Sequence, residues 1–290
     1  MSTAIVLSGG ANLGAVHVGM LRALIEHRVT PDLIVGTSVG ALNGGYVSSR
    51  WTPAGVAGLD DVWTALRRSE VFPTRLFGGL LGFIGRSDHL VSNDPLRNLV
   101  RTQLQFDRLE QAPIPMHVIA TDLLTGIDRR FSAGPADEAI LASSAIPAIF
   151  PPVVIDGIPY VDGGVVDNTP ISHAADLGAS TIWVLPAGTA CGLAEAPTSA
   201  LAIALQAVSV LINRRLQRDI ERLQGHCDVR VLPPLCPVTV SPTDFGQARQ
   251  LIDRAYHRSM AALDSPDMAH VWRSDAAGVL DHPHQQVDAG

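Results

Sequence analysis

The sequence predicts an α/β fold built on a mainly parallel sheet, and three observations carry that prediction. Short apolar runs rich in β-branched residues recur along the chain, as in Ala4-Ile5-Val6-Leu7, Leu33-Ile34-Val35 and Thr181-Ile182-Trp183-Val184-Leu185. Unbroken runs of this length suit strands buried on both faces of a parallel sheet. Stretches with helical spacing separate them. The first two runs end in glycine-rich turns, and open α/β sheets place their ligands at such carboxyl-end turns.

In chain order, the run at 4–7 ends in Ser8-Gly9-Gly10-Ala11-Asn12-Leu13-Gly14, after which Val16, Met20, Leu21, Leu24 and Ile25 recur at helical spacing. The second run leads into Gly36-Thr37-Ser38-Val39-Gly40, so the two glycine turns are expected side by side on neighbouring parallel strands. Val56 to Leu66 reads as a helix, and Leu76 to Gly85 as an apolar, glycine-rich segment too short to span a bilayer. That segment is expected to pack on the core as a loop, with a lid or membrane-surface patch as the alternative. Asp94 as cap and Pro95 at the first position start a further helix, with Leu96, Leu99, Val100 and Leu104 on one face.

Pro115 to Asp122 reads as a third buried strand, with Phe131 in a following strand or turn. The small residues and prolines of Ala142 to Val153 mark a helix ending in a rigid turn. Tyr160-Val161-Asp162-Gly163-Gly164 then places an acid at the end of a short apolar strand. Leu201 to Leu223 traces one face of a long helix, Val229 to Pro234 a late strand, and Phe245 to Met260 a final amphipathic helix. No repeat or linker interrupts the chain, so residues 1–273 are expected to form one domain and 274–290 a fraying tail.

Composition sets the function classes. The 290 residues are 47% hydrophobic and 17% charged, with mean hydropathy +0.22, as in a globular chain able to bury a sizeable core. A net charge of −7 argues against nucleic acid as a partner, because phosphate contacts need a basic surface. Cys191, Cys227 and Cys236 form neither a Cys-x-x-Cys pair nor a zinc-type cluster, which fits a reducing compartment. Met1-Ser2-Thr3 runs straight into an apolar strand without the features of a secretory signal, so a cytoplasmic location is expected, with peripheral membrane contact left open. The stretch from Ala196 to Asn213 is uncharged, but its Pro, Thr, Ser and Gln residues favour a buried helix over a membrane span.

Strand, Gly-x-Ser-x-Gly and helix together suit a nucleophile elbow, in which the serine sits at the tip of a sharp turn and the glycines let the two backbones pass closely. Ser38 is then the candidate nucleophile, flanked by Gly36 and Gly40; the plain alternative is a strand-to-helix turn. The spacing Gly9-Gly10-x-x-x-Gly14 differs from a dinucleotide fingerprint and lacks the Gly-Lys-Ser/Thr of a P-loop. A third use is an oxyanion hole of backbone N–H groups at a helix N-terminus. Asp162 suits presentation of a carboxylate into a cleft, or a solvated turn.

As an ordered set, Gly9 to Gly14, Gly36 to Gly40 and Asp162-Gly163-Gly164 resemble the patatin-like phospholipase family. Ala120 to Leu123 with Thr125-Gly126, the Ala142 to Val153 stretch, and Asn168 with Pro170 are similar to further segments of that family. The resemblance implies a three-layer α/β/α fold and hydrolysis of lipid esters or other acyl esters. It implies Ser38 as nucleophile, Asp162 as general base, and the N–H groups of Gly9, Gly10 and Ala11 as the oxyanion hole, with no metal and no cofactor. Two departures stand out: Ala11 replaces a third glycine, and Leu13 stands where a basic residue is usual. A Ser-acid-His triad remains a competing mechanism, with His226, His257, His270, His282 and His284 following Asp162. Asp167 is the alternative acid. A lipid-binding protein without catalysis is the rival function.

Overall fold

The structure is a computed structural model and describes residues 1–71, 89, 91–187, 200–235 and 244–265. The segment Leu76 to Gly85, the tail from 274, Cys191, Cys236, His270, His282 and His284 lie outside the described residues.

The strands are β1 Thr3–Leu7, β2 Leu33–Thr37, β3 Met116–Asp122, β4 Asp128–Phe131, β5 Val153–Ile155, β6 Ile158–Asp162, β7 Thr181–Leu185 and β8 Asp228–Val231. The helices are α1 Ala15–Glu26, α2 Val39–Ser48, α3 Pro53–Ala65, α4 Arg68–Val71, α5 Asp94–Gln103, α6 Ala136–Ser143, α7 Ile171–Asp176, α8 Ala200–Leu223 and α9 Ala248–Leu263. The parallel core of the sheet runs β3-β2-β1-β7-β8, and β4, β5 and β6 join antiparallel. The fold is therefore α/β with a mostly parallel sheet.

Alternation along the strands divides the core into two layers. Ile5, Leu7, Ile34, Met116, Val118, Trp183 and Leu185 face the cluster containing α1, α2, α3 and α9 residues such as Met20, Val47, Leu59 and Leu251. Ala4, Val6, Val35, Ile119, Ile182 and Val184 face the other side, against Ile171 and Ala174 of α7 and Leu216 and Ile220 of α8. Both faces are covered, which is why these strands read as continuous apolar runs rather than alternating ones. Among the described residues, no helix is long and apolar enough to cross a membrane.

Most boundaries fall within a residue or two of the sequence expectation. At α5, Asn93 holds the cap position and Asp94 lies inside the first turn, bonded to Ser92. The sequence pattern gave no sign of β5 or α7, because three- and six-residue elements are shorter than the stretches over which a period can be recognised.

The path of β3 shapes the site. Val118 and Ile119 pair with both β2 and β4, whereas Ala120 and Thr121 pair with both β4 and β6. A strand has two edges, so β2 and β6 share one edge of β3 in succession. They run in opposite directions and meet end to end where Thr37 faces Ile119 and Asp162 faces Ala120.

Candidate active site

Ser38 occupies the turn between β2 and α2 at φ 54, ψ −124, an unfavourable backbone conformation for a residue with a side chain. Three contacts hold it there. Its N–H donates to Ser143 Oγ at 2.8 Å, and Ser143 Oγ donates in turn to Ile119 O. The N–H groups of Ala41 and Leu42 bond to Ser38 O, starting the helix. The flanking glycines are required by close approach: a Cβ on Gly40 would lie 2.1 Å from Leu7 O, and one on Gly36 2.5 Å from Gly40 O.

Ser38 Oγ donates to Asp162 Oδ2 at 2.6 Å, and both residues are buried. The second carboxylate oxygen, Oδ1, accepts the Gly164 N–H at 2.7 Å, which fixes the carboxylate plane. Gly163 permits the turn, since a Cβ there would lie 2.3 Å from Ile119 O. Burial raises the Asp162 carboxyl from 3.8 to about 6, opposed by the hydrogen bonds from Ser38 and Gly164. A carboxyl raised in this way is a stronger base than a free aspartate while remaining mostly ionised at pH 7.

The glycine loop lies against Ser38 and Asn168. A Cβ on Gly9 would come 3.3 Å from Ser38 Cβ and 2.3 Å from Asn168 Oδ1. The Gly9 N–H donates to Asn168 O at 3.0 Å, and Asn168 Nδ2 donates back to Gly9 O at 3.3 Å. This double contact corrects the expectation that Gly9 offers an open donor. No described group accepts from the N–H of Gly10 or Ala11. Ala11 has φ 50, which explains why a third glycine suits this position. Leu13, at the position expected to be basic, packs partly buried against the core.

Asp167 points elsewhere. Its side chain is ion-paired with Arg215 at 3.2 Å and lies 3.9 Å from His173, which is bonded to Asp128. Burial raises the Asp167 carboxyl, against the pull of Arg215 and His173. Ligand-type atoms of Asp128, Asp167 and His173 lie within 4.8 Å of one another, and the Arg215 guanidinium already supplies a cation there. The backbone of Asp167 contributes differently: its carbonyl accepts from Thr37 Oγ1 at 2.9 Å, tying the acid-bearing loop to the residue before Ser38.

Among the described residues, no histidine is hydrogen-bonded to Ser38 or Asp162. His17, fully buried, bonds Leu185 O and Asn43 Nδ2, and burial holds its imidazole down at about 3. Asn43 Oδ1 accepts from Trp63 Nε1, so one polar chain links β7, α1, α2 and α3 beneath the site. His226 bonds Gln224 O, and His257 packs edge-on to Tyr256.

A pocket of about 830 Å³, part of it open to solvent, begins at Ala11, Asn12 and Ser38. Its wall includes Val39, Leu42, Asn43 and Tyr46 on one face of α2, with Trp63 and Phe150 among the opposing residues. The wall is overwhelmingly apolar. Sequence reasoning missed Ser143 and the part played by Asn168 in closing the loop. The cue available for Ser143 was its place among small residues before a rigid turn, which leaves its hydroxyl unassigned.

The family model described as Patatin-like phospholipase matches residues 5–175, more than half the chain. An uncharacterized NTE family protein of Mycobacterium tuberculosis is 33% identical over 195 residues, covering 66% of this chain and 51% of that protein. The lysophospholipase NTE1 of Mycosarcoma maydis is 27% identical over 203 residues, covering 65% of this chain and 10% of the fungal one. The match thus spans about half the length of the mycobacterial relative and a tenth of the fungal one. Among solved structures, VipD from Legionella pneumophila aligns with a TM-score of 0.48 and 16% identity, over 96% of this chain and 70% of that chain.

Proposed function

The chain belongs to the patatin-like phospholipase family, and on that premise we propose that it is a lipid acyl hydrolase working through Ser38 and Asp162. The observation that carries the reading is the direct 2.6 Å hydrogen bond from a strained serine hydroxyl to a buried carboxylate. Asp162 takes the Ser38 proton as Oγ attacks the acyl carbonyl. The tetrahedral oxyanion forms beside the N–H groups of Gly10 and Ala11, and each such donor is worth typically a few kcal/mol.

Collapse breaks the ester C–O bond. Asp162 returns the proton to the departing alcohol, leaving an acyl-Ser38. Water then attacks the acyl carbon as Asp162 takes its proton; the bond from the acyl carbon to Ser38 Oγ breaks, Asp162 returns the proton to Oγ, and the carboxylic acid leaves. The chemistry needs no metal. Burial tunes the base: a carboxyl near 6 is a better proton acceptor than one at 3.8, yet is ionised at neutral pH. The apolar pocket beginning at Ser38 suits the acyl side of the ester.

Labelling with a fluorophosphonate probe, alongside hydrolysis of short- and long-chain p-nitrophenyl esters and a labelled phospholipid, tests the reading. Wild type is expected to label and turn over, and folded Ser38→Ala to do neither. Turnover that survives Ser38→Ala would overturn the mechanism. A folded wild type that neither labels nor hydrolyses any of the panel would favour the lipid-binding rival.

A further inference from the structure

Beyond the dyad, the turn joining β3 to β4 carries a set of features that the proposed chemistry does not use. Leu123, Leu124 and Ile127 are 50%, 74% and 63% exposed, three large apolar side chains within five residues. Scattered apolar residues are ordinary on a protein surface, but such a concentration at a loop tip is not. Val154 of β5, 62% exposed, adjoins them: it pairs with Pro159, whose carbonyl accepts the Leu123 N–H.

The backbone donors of this turn are all served by the protein itself. The N–H of Asp122 bonds Ile127 O, that of Leu123 bonds Pro159 O, and those of Leu124 and Thr125 both bond Asp122 Oδ1. The N–H of Gly126 bonds Asp122 O, with Gly126 at φ +70, and that of Ile127 bonds Thr125 Oγ1. Every N–H from 122 to 127 therefore has a partner inside the protein. A turn in water does not need this, because solvent serves its donors. A turn entering an apolar medium does, since each unpaired donor there is costly.

Position completes the argument. Asp162 pairs with Ala120, so the turn begins three residues further along β3, about 10 Å beyond the dyad at strand rise. Because β3 runs parallel to β2, this is the edge of the sheet on which Ser38 lies. We propose that the β3–β4 turn is an anchor that inserts Leu123, Leu124 and Ile127 into a zwitterionic lipid surface beside the active site. The charge pattern selects that surface: the chain carries net charge −7, and the acids Asp122 and Asp128 at the foot of the turn balance Arg129 and Arg130. An anionic surface would be repelled overall. The proposal rests on the lipid hydrolase reading for its purpose but not for its test.

The test is co-sedimentation of Ser38→Ala protein with sucrose-loaded phosphatidylcholine vesicles, so that binding is read without turnover. In that background, Leu124→Ser combined with Ile127→Ser should weaken vesicle binding about ten-fold or more, with the far-UV spectrum and melting temperature kept. The milder Leu124→Ser alone should fall between the two. Absence of binding by the parent, or equal binding by the folded double variant, overturns the proposal. So does stronger binding to phosphatidylglycerol vesicles than to phosphatidylcholine. A double substitution that changes only the oligomeric state would reassign the patch to contact between copies of this chain. If no ester is hydrolysed by protein with Ser38 intact, the function reading fails while the vesicle result still stands.

Discussion

Ser38 and Asp162 lie 124 residues apart in sequence and are joined by a 2.6 Å hydrogen bond. The contact exists because β2 and β6 approach from opposite directions along one edge of β3 and end against adjacent residues, Ile119 and Ala120. Each strand delivers one member of the pair at its carboxyl end, so small errors in either register would separate them.

Replacing Asp162 with Asn should reduce hydrolysis by about 10²- to 10⁴-fold, as expected for loss of a general base. The same change should stabilise the protein. Asn can accept the Gly164 N–H through Oδ1 while its Nδ2 donates to Ser38 Oγ, and no charge is buried. With the native carboxyl raised from 3.8 to about 6, the gain above pH 6 is up to about 3 kcal/mol. It should shrink as pH falls through this window and vanish below about pH 4, where the carboxyl is protonated in both folded and unfolded chains. Denaturant melts of both proteins across that range measure it.

The pH profile of kcat/KM should rise with an apparent midpoint near 6, because only ionised Asp162 can take the Ser38 proton. A profile flat between pH 5 and 8 would remove Asp162 from the role of base. The Asp167→Asn variant should keep the limb, since that side chain faces Arg215 rather than Ser38.

Ser143→Ala removes the acceptor for the Ser38 N–H and leaves a buried donor unpaired. A loss of about 1–3 kcal/mol in stability is expected, together with a lower kcat as the strained elbow relaxes. Substrate KM should change less, because Ser143 does not line the pocket. Urea melts and initial-rate kinetics separate the two effects.

Gly40→Ala would drive a methyl group to within 2.1 Å of Leu7 O and 2.7 Å of Ser8 O. Backbone must move, so a stability loss of about 1–3 kcal/mol or more is expected, and activity should fall with it. Thermal melts and ester hydrolysis check this.

Ala11→Gly should behave in the opposite way. It relieves a positive φ that costs an alanine roughly 1 kcal/mol, partly offset by the greater freedom of glycine in the unfolded chain. The melting temperature should hold or rise slightly, and hydrolysis should survive because the proposed donor is a backbone N–H. Ala11→Val should lower both, since a β-branched residue resists this conformation.

The sequence by itself determined the buried parallel strands, the main helices and the order of the three motifs. Those are local properties: apolar runs such as Ala4 to Leu7 report burial on two faces, and the glycines of 36–40 and 163–164 report close backbone approach. The family resemblance was legible for the same reason, because its motifs are contiguous. The tertiary structure decided what depends on partners far away in the chain. It set Asp162 rather than Asp167 against Ser38 through strand register. It consumed the Gly9 N–H with the carbonyl of Asn168, and made Ser143 the brace of the elbow. It also put the apolar turn of 123–127 on the edge of the sheet where Ser38 lies. No periodicity encodes such pairings: they follow from which strand ends meet, and that is fixed only when all the strands are packed together.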